Sequence, residues 1–265
     1  MNAWTPLLDP SAWPTFVFVT ARLTGLFLVA PLWSMTALPR MARAAVLVLM
    51  AVVLLPGAPH VTMPERALDL PLPMAMEMVL GIAIGLTAAV IVAGATMAGD
   101  LVSMQMGLQL APVLAPMPEF EASGLSQFQS LLALMVYVSI GGHLMLLRGL
   151  ADSLQAIPPG SSFALADGGR AVVTMVGSLF ASALRTGAPV IVALLVTNVA
   201  LAILSKAVPQ LNTMMVAFPL SIAIGLVVVG ATLPITAATL GGWFGELPVR
   251  VAEVTAAFQP LPGRP

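Results

Sequence analysis

The stretch Asp100 to Ser123, DLVSMQMGLQLAPVLAPMPEFEAS, limits what this chain can become. It lies between two uncharged runs, residues 78–99 and 122–147. Each run is long enough for a helix rising ~1.5 Å per residue to cross ~30 Å of hydrocarbon. The stretch itself cannot be one simple membrane-spanning helix. Gly107, Pro112, Pro116 and Pro118 interrupt it, and proline lacks the amide proton that a helix interior uses. Asp100, Gln105, Gln109, Glu119 and Glu121 are costly against lipid. Irregular backbone at membrane depth survives where protein buries it or where it lines a watery cavity. The stretch is therefore expected to face a pore or a subunit interface.

Composition agrees with a membrane setting. The chain of 265 residues is 59% hydrophobic and only 8% charged, with a mean hydropathy of +1.03. Soluble domains carry about 25% charged residues. The net charge of −1 provides no bulk basic field for nucleic acid. With no cysteine, disulfides, thiolate metal sites and thiol catalysis are excluded. The N-terminal residues carry no positive charge before Arg22 and do not read as a secretory signal.

Transmembrane candidates are residues 15–35, with Arg22 inside, then 44–56, 78–99 and 122–147. Residues 171–205 follow with one charge, Arg185, beside Thr186, Gly187 and Pro189, which predict a kink or break. Residues 207–245 have no charge and are divided by Pro209, Pro219 and Pro234. Residues 57–73 and 152–170 read as exposed, turn-rich loops. Residues 254–265 read as a disordered tail of a single membrane-embedded domain, 1–265. Gly81, Gly85 and Ala89 put small side chains on one helix face, which permits close helix approach. Arg40 and Arg43 suggest a cytoplasmic first loop.

Catalytic chemistry finds no motif. His60 and His143 stand apart, without HExxH spacing, and neither a phosphate-binding GxxxxGK[ST] loop nor a GxSxG turn occurs. No cofactor or metal is expected, and the chain is read as a non-enzyme. Asp100 reads either as a proton-relay carboxylate or as a helix-end group. Arg22, mid-segment, is expected to pair with a carboxylate on another helix. Met104, Met106 and Met117 read as an adaptable seal around varying polypeptides or as ordinary core filling. Gln105 and Gln109 would share a face if their segment is helical. The residues alone describe an all-α polytopic membrane protein with a broken central element, which also suits a secondary transporter using Arg22, Asp100 and Arg185.

Four segments carry a resemblance: 21–43 (ARLTGLFLVAPLWSMTALPRMAR), 105–116 (QMGLQLAPVLAP), 125–153 (LSQFQSLLALMVYVSIGGHLMLLRGLADS) and 209–226 (PQLNTMMVAFPLSIAIGL). In order, spacing and total length the chain resembles the FliR/SctT family, the R- or T-type export-gate subunit of flagellar and type III secretion systems, nearer the flagellar branch by general likeness. The resemblance implies helical hairpins, a broken central helix and a plug-like loop. It implies one copy of the chain assembled with P-type and Q-type subunits in the bacterial inner membrane, at the flagellar basal body, with helices displaced toward the periplasmic side. It further implies a switch-type gate protein, an export-ring protein and unfolded export substrates as partners, and no nucleic acid.

In such proteins the loop after QMG helps plug the lumen, here residues 108–123. The pore and plug residues expected on this basis are Met104, Gln105, Met106, Gly107, Gln109, Pro112, Pro116, Met117, Pro118, Glu119 and Phe120. Expected at subunit interfaces are Arg22, Pro39, Arg40, Arg43, Gln127, His143, Arg148, Pro209, Gln210, Asn212, Phe218 and Pro219. Two departures stand out. Ser221 occupies a place where the family often has lysine, and Ala115-Pro116 replaces a frequent Asp-Pro, so neither charge's role carries over.

Overall fold

The structure is a computed structural model, and it describes residues 12–34, 39–61, 69–108, 124–207 and 213–258. All regular structure among them is helical: α1 (Trp13–Val29), α2 (Arg40–Leu54), a 3-10 turn (Leu55–Gly57), α3 (Pro71–Gln105), α4 (Gly124–Ser139), α5 (Gly142–Ala156), α6 (Leu165–Ala207), α7 (Thr213–Gly245) and α8 (Leu247–Ala257). Four helices are long and apolar enough to cross a membrane, or five if the bent pair α4–α5 is one span. The chain is an all-α polytopic membrane protein.

Local chemistry explains most of the boundaries. Pro14 stands in the first turn of α1 and Pro71 opens α3, where a missing amide proton costs nothing. Gly107, with φ of 78°, ends the central helix in a conformation that residues with a Cβ avoid. Asp167 in the first turn of α6 and Lys206 in the last complement the helix dipole.

Several boundaries differ from the sequence reading. The apolar run 122–147 is not one span. It breaks at Gly141, whose φ of 73° turns the chain by 63° between α4 and α5. Conversely, Pro189 does not break α6, nor do Pro219 and Pro234 break α7. Away from water, stopping a helix would strand several carbonyls and amides, whereas one internal proline removes a single bond. Residues 152–170 are not simply a surface loop, since α5 runs to Ala156 and α6 starts at Leu165. Ile157 and Phe163 between them are buried. The helix α8 continues through Ala257 with Val254, Thr255 and Phe258 buried, so residues 254–258 are ordered, and 259–265 lie outside the described residues.

The chain divides into two compact units. The first comprises Met1–Val90, Val138–Val176 and Phe244–Pro265, and the second Ile91–Tyr137 and Gly177–Trp243. In the first, α1 packs on α2, and α5 packs on α8, where Gly149 lies against Val251. Phe163 meets Phe258 edge-on at 5.3 Å. Thr15 Oγ1 accepts the Val61 amide at 3.0 Å, and Gln155 Nε2 donates to the Gly57 carbonyl. In the second unit, Val102, Met106, Leu125, Val190, Leu194 and Val229 form an apolar core.

Candidate functional site

The first unit is built around one buried ion pair. Arg22 on α1 donates from Nε to Glu77 Oε2 on α3 at 2.6 Å, and both side chains are completely shielded from solvent. The other two guanidinium nitrogens also find acceptors. Nη1 donates to Ser153 Oγ on α5 at 3.0 Å, and Nη2 donates to the Ile157 carbonyl at 2.9 Å. Glu77 Oε1 accepts the Gly160 amide at 2.8 Å, and Ser153 Oγ in turn donates to the Leu150 carbonyl at 2.6 Å. Three helices and the turn after α5 thus converge on a neutral pair in which each guanidinium nitrogen and each carboxylate oxygen has a partner. A buried charge is very costly unless a partner neutralises it, and each further proton that finds an acceptor lowers the remaining cost.

Glycines allow the helices to come close enough. A Cβ on Gly81 would collide with the Arg22 carbonyl, and one on Gly25 with the Met78 carbonyl. One on Gly85 would lie 3.0 Å from the Leu26 carbonyl. The small face expected from Gly81 and Gly85 is therefore the seam between α1 and α3. One turn earlier on that face stands Glu77. The sequence reading anticipated a carboxylate for Arg22 but did not identify this one, because the apolar run was taken to begin at Met78. Continuing the four-residue step back from Gly85 and Gly81 reaches Glu77 directly. Ser153 and Gly160 carried no comparable signal.

The end of α3 holds the described part of the expected pore and plug set. Met104 and Gln105 are exposed, with Met104 at 56%. Gly107 makes the left-handed turn. Met106 is completely buried in the core of the second unit, against Gly225. This corrects its expected place at a pore surface, because its flexible thioether fills the gap left by that glycine. The helix stops at Gln105, and Gln109, expected to share its face, lies outside the described residues. So do Pro112, Pro116, Met117, Pro118, Glu119 and Phe120.

Of the expected interface set, Arg22 moves from a subunit surface to the chain's own core. The reason is that Glu77 neutralises it there. Pro39, Arg40, Gln127, Arg148 and Pro219 are exposed, while Arg43 and His143 are half-buried. Phe218 is within α7, and Pro209, Gln210 and Asn212 lie outside the described residues. Of the three charges set aside for transport, Arg185 is exposed on α6 and Asp100 is half-buried on α3. Arg22 is already committed to Glu77. The described residues hold no group of three or more histidines and carboxylates able to share a metal ion.

The exposed surface is strongly apolar. Of the membrane-length apolar stretch of α3, 61% is buried inside the chain, against 28% on α6 and 22% on α7. Val192, Leu195, Val196, Val199 and Ile203 of α6 are all exposed, as are Leu226, Val227 and Ile235 of α7. Faces like these require lipid or other protein against them.

Comparison with known proteins places this arrangement. The family described as bacterial export proteins, family 1, matches residues 13–247. The chain is 27% identical over 252 residues to the flagellar biosynthetic protein FliR of Escherichia coli K12, covering 95% of this chain and 94% of the relative. It is 28% identical over 220 residues to the FliR of Bacillus subtilis 168, covering 81% and 84%. For the FliR of Caulobacter vibrioides the figures are 26% over 217 residues, 81% and 86%. The family match takes in α1 through α7, the ion pair, the glycine seam and the end of the central helix, and on that ground the chain belongs to the bacterial export proteins of family 1, the FliR family.

Proposed function

We propose that this chain is a membrane-embedded structural component of the flagellar protein-export apparatus, and within it the subunit that helps form and plug the export gate. The observation that carries the reading is the family match across residues 13–247, joined to relatives named as flagellar biosynthetic proteins over more than four-fifths of their length. The chemistry agrees. The buried charges are spent on one another, and the apolar faces of α6 and α7 are open to lipid and to partner helices.

In this reading the chain assembles with P-type and Q-type subunits in the inner membrane and acts as a passive conduit for unfolded substrates. The segment after Gly107 serves as the plug, because a narrow apolar constriction excludes water and ions without needing polar groups. Met104, exposed beside it, supplies adaptable apolar contact. A tagged pull-down from mild detergent followed by native mass spectrometry tests the assembly. One copy of this chain with several copies of two other small membrane proteins is expected, and a lone monomer or homodimer overturns the gate. The plug is tested separately by deleting residues 110–120. The deleted chain is expected to assemble but to leave the membrane leaky to ions and small solutes. A deletion strain that assembles and stays tight refutes the plug.

A further inference from the structure

We infer that the Arg22–Glu77 pair is a latch that closes in a fixed order: α1 docks on α3 through Glu77 first, and the turn after α5 closes over the pair second. The inference rests on the membrane reading of the long helices and not on the gate reading.

The bonding partners differ in kind. Glu77 is the group that neutralises the Arg22 charge, while Ser153 and the Ile157 carbonyl provide only hydrogen bonds. Neutralisation is the larger requirement, since an unpaired guanidinium in apolar surroundings is far costlier than an unfilled proton. Helix α1 holds no acidic residue of its own, so it cannot meet that requirement alone. Its partner lies 55 residues downstream, whereas Ser153 and Ile157 are 131 and 135 residues away.

The glycine seam makes the first step self-sufficient. Gly25, Gly81 and Gly85 allow α1 and α3 to approach backbone to backbone, with no contribution from α5. The second step depends on the first. The Gly160 amide needs Glu77 Oε1, and Gly160, at φ of 75°, has its open side against the Phe18 ring of α1. Both groups are in place only when α1 and α3 are already docked. Docking therefore supports closure, and closure is not required for docking.

The natural chain has no cysteine, so single cysteines report on each step. Ala88→Cys sits on the buried α3 face one turn beyond Gly85, and Leu154→Cys sits on the buried face of α5. Ala133→Cys, buried in the second unit, is the control. The full-length chain in mild detergent is treated with a polar maleimide, and all three sites are expected to be protected. Ser153→Ala is expected to raise labelling at Leu154→Cys at least tenfold and leave Ala88→Cys protected. Glu77→Ala is expected to open both, with Ala133→Cys unchanged. Equal opening of both sites by Ser153→Ala overturns the order, and continued protection of Ala88→Cys in Glu77→Ala overturns the latch. Should Glu77→Ala also open Ala133→Cys, the double variant Arg22→Met with Glu77→Met decides. Regained protection at Ala88→Cys upholds the latch, because charge neutrality is then restored without the pair, and failure to regain it overturns it.

Discussion

Arg22 shows how one residue can organise a neighbourhood. A cation midway along an apolar helix has few acceptable surroundings, and here it has one carboxylate, one hydroxyl and one carbonyl. Removing one member of such a pair costs about 3–5 kcal/mol, whereas exchanging both for apolar groups of similar size is often close to neutral. Glu77→Ala is therefore expected to lower the unfolding free energy in detergent by about that amount, and Arg22→Met with Glu77→Met by much less. Denaturant titration of the purified chain compares them, and equal losses would contradict the account. Gly81 belongs to the same scale. Gly81→Ala forces a methyl against backbone that cannot turn aside, and overpacking of this kind costs about 1–3 kcal/mol. The thermal midpoint of that variant is expected to fall. The need of Arg22 for a carboxylate was legible in the sequence, but its partner stands one residue outside the uncharged run that begins at Met78.

Among the helices, glycine and proline had unequal effects. Gly141 and Gly107 end elements because the backbone there takes positive φ, while Pro189, Pro219 and Pro234 lie within continuous helices. The prolines predict breaks in α6 and α7 that do not occur, while the corner between α4 and α5 falls at a glycine inside an uncharged run. A proline deletes one hydrogen bond, and in an apolar setting the neighbouring bonds are too valuable to give up. A left-handed glycine reverses the helical sense of the chain, which no neighbour can compensate. Gly141→Val is accordingly expected to destabilise the chain by at least about 1–2 kcal/mol through the left-handed conformation alone. Gly177→Ala in α6, where the added methyl meets nothing within 4 Å, should be neutral or slightly stabilising. Paired thermal melts check both.

For the molecule as a whole, the exposed apolar faces of α6 and α7 indicate a chain made to be surrounded. If the gate reading holds, replacing Gln210 and Asn212 by apolar residues is expected to reduce co-purification of the other gate subunits, and unchanged co-purification would leave these residues as helix-end groups. The sequence by itself determined the membrane class, the all-helical fold, the small-residue face of α3 and the likeness to the export family. The first three follow from charge scarcity, run length and local periodicity, readable within a few turns of helix, and the likeness rests on the order and spacing of four segments. Only the tertiary structure decided that Glu77, Ser153 and Gly160 meet at Arg22, that Met106 belongs to a core, and that the run 122–147 turns a corner. Those facts depend on contacts up to 135 residues apart and on backbone angles at single glycines. Apart from the four-residue step that leads from Gly85 and Gly81 back to Glu77, neither leaves a periodic trace in the chain.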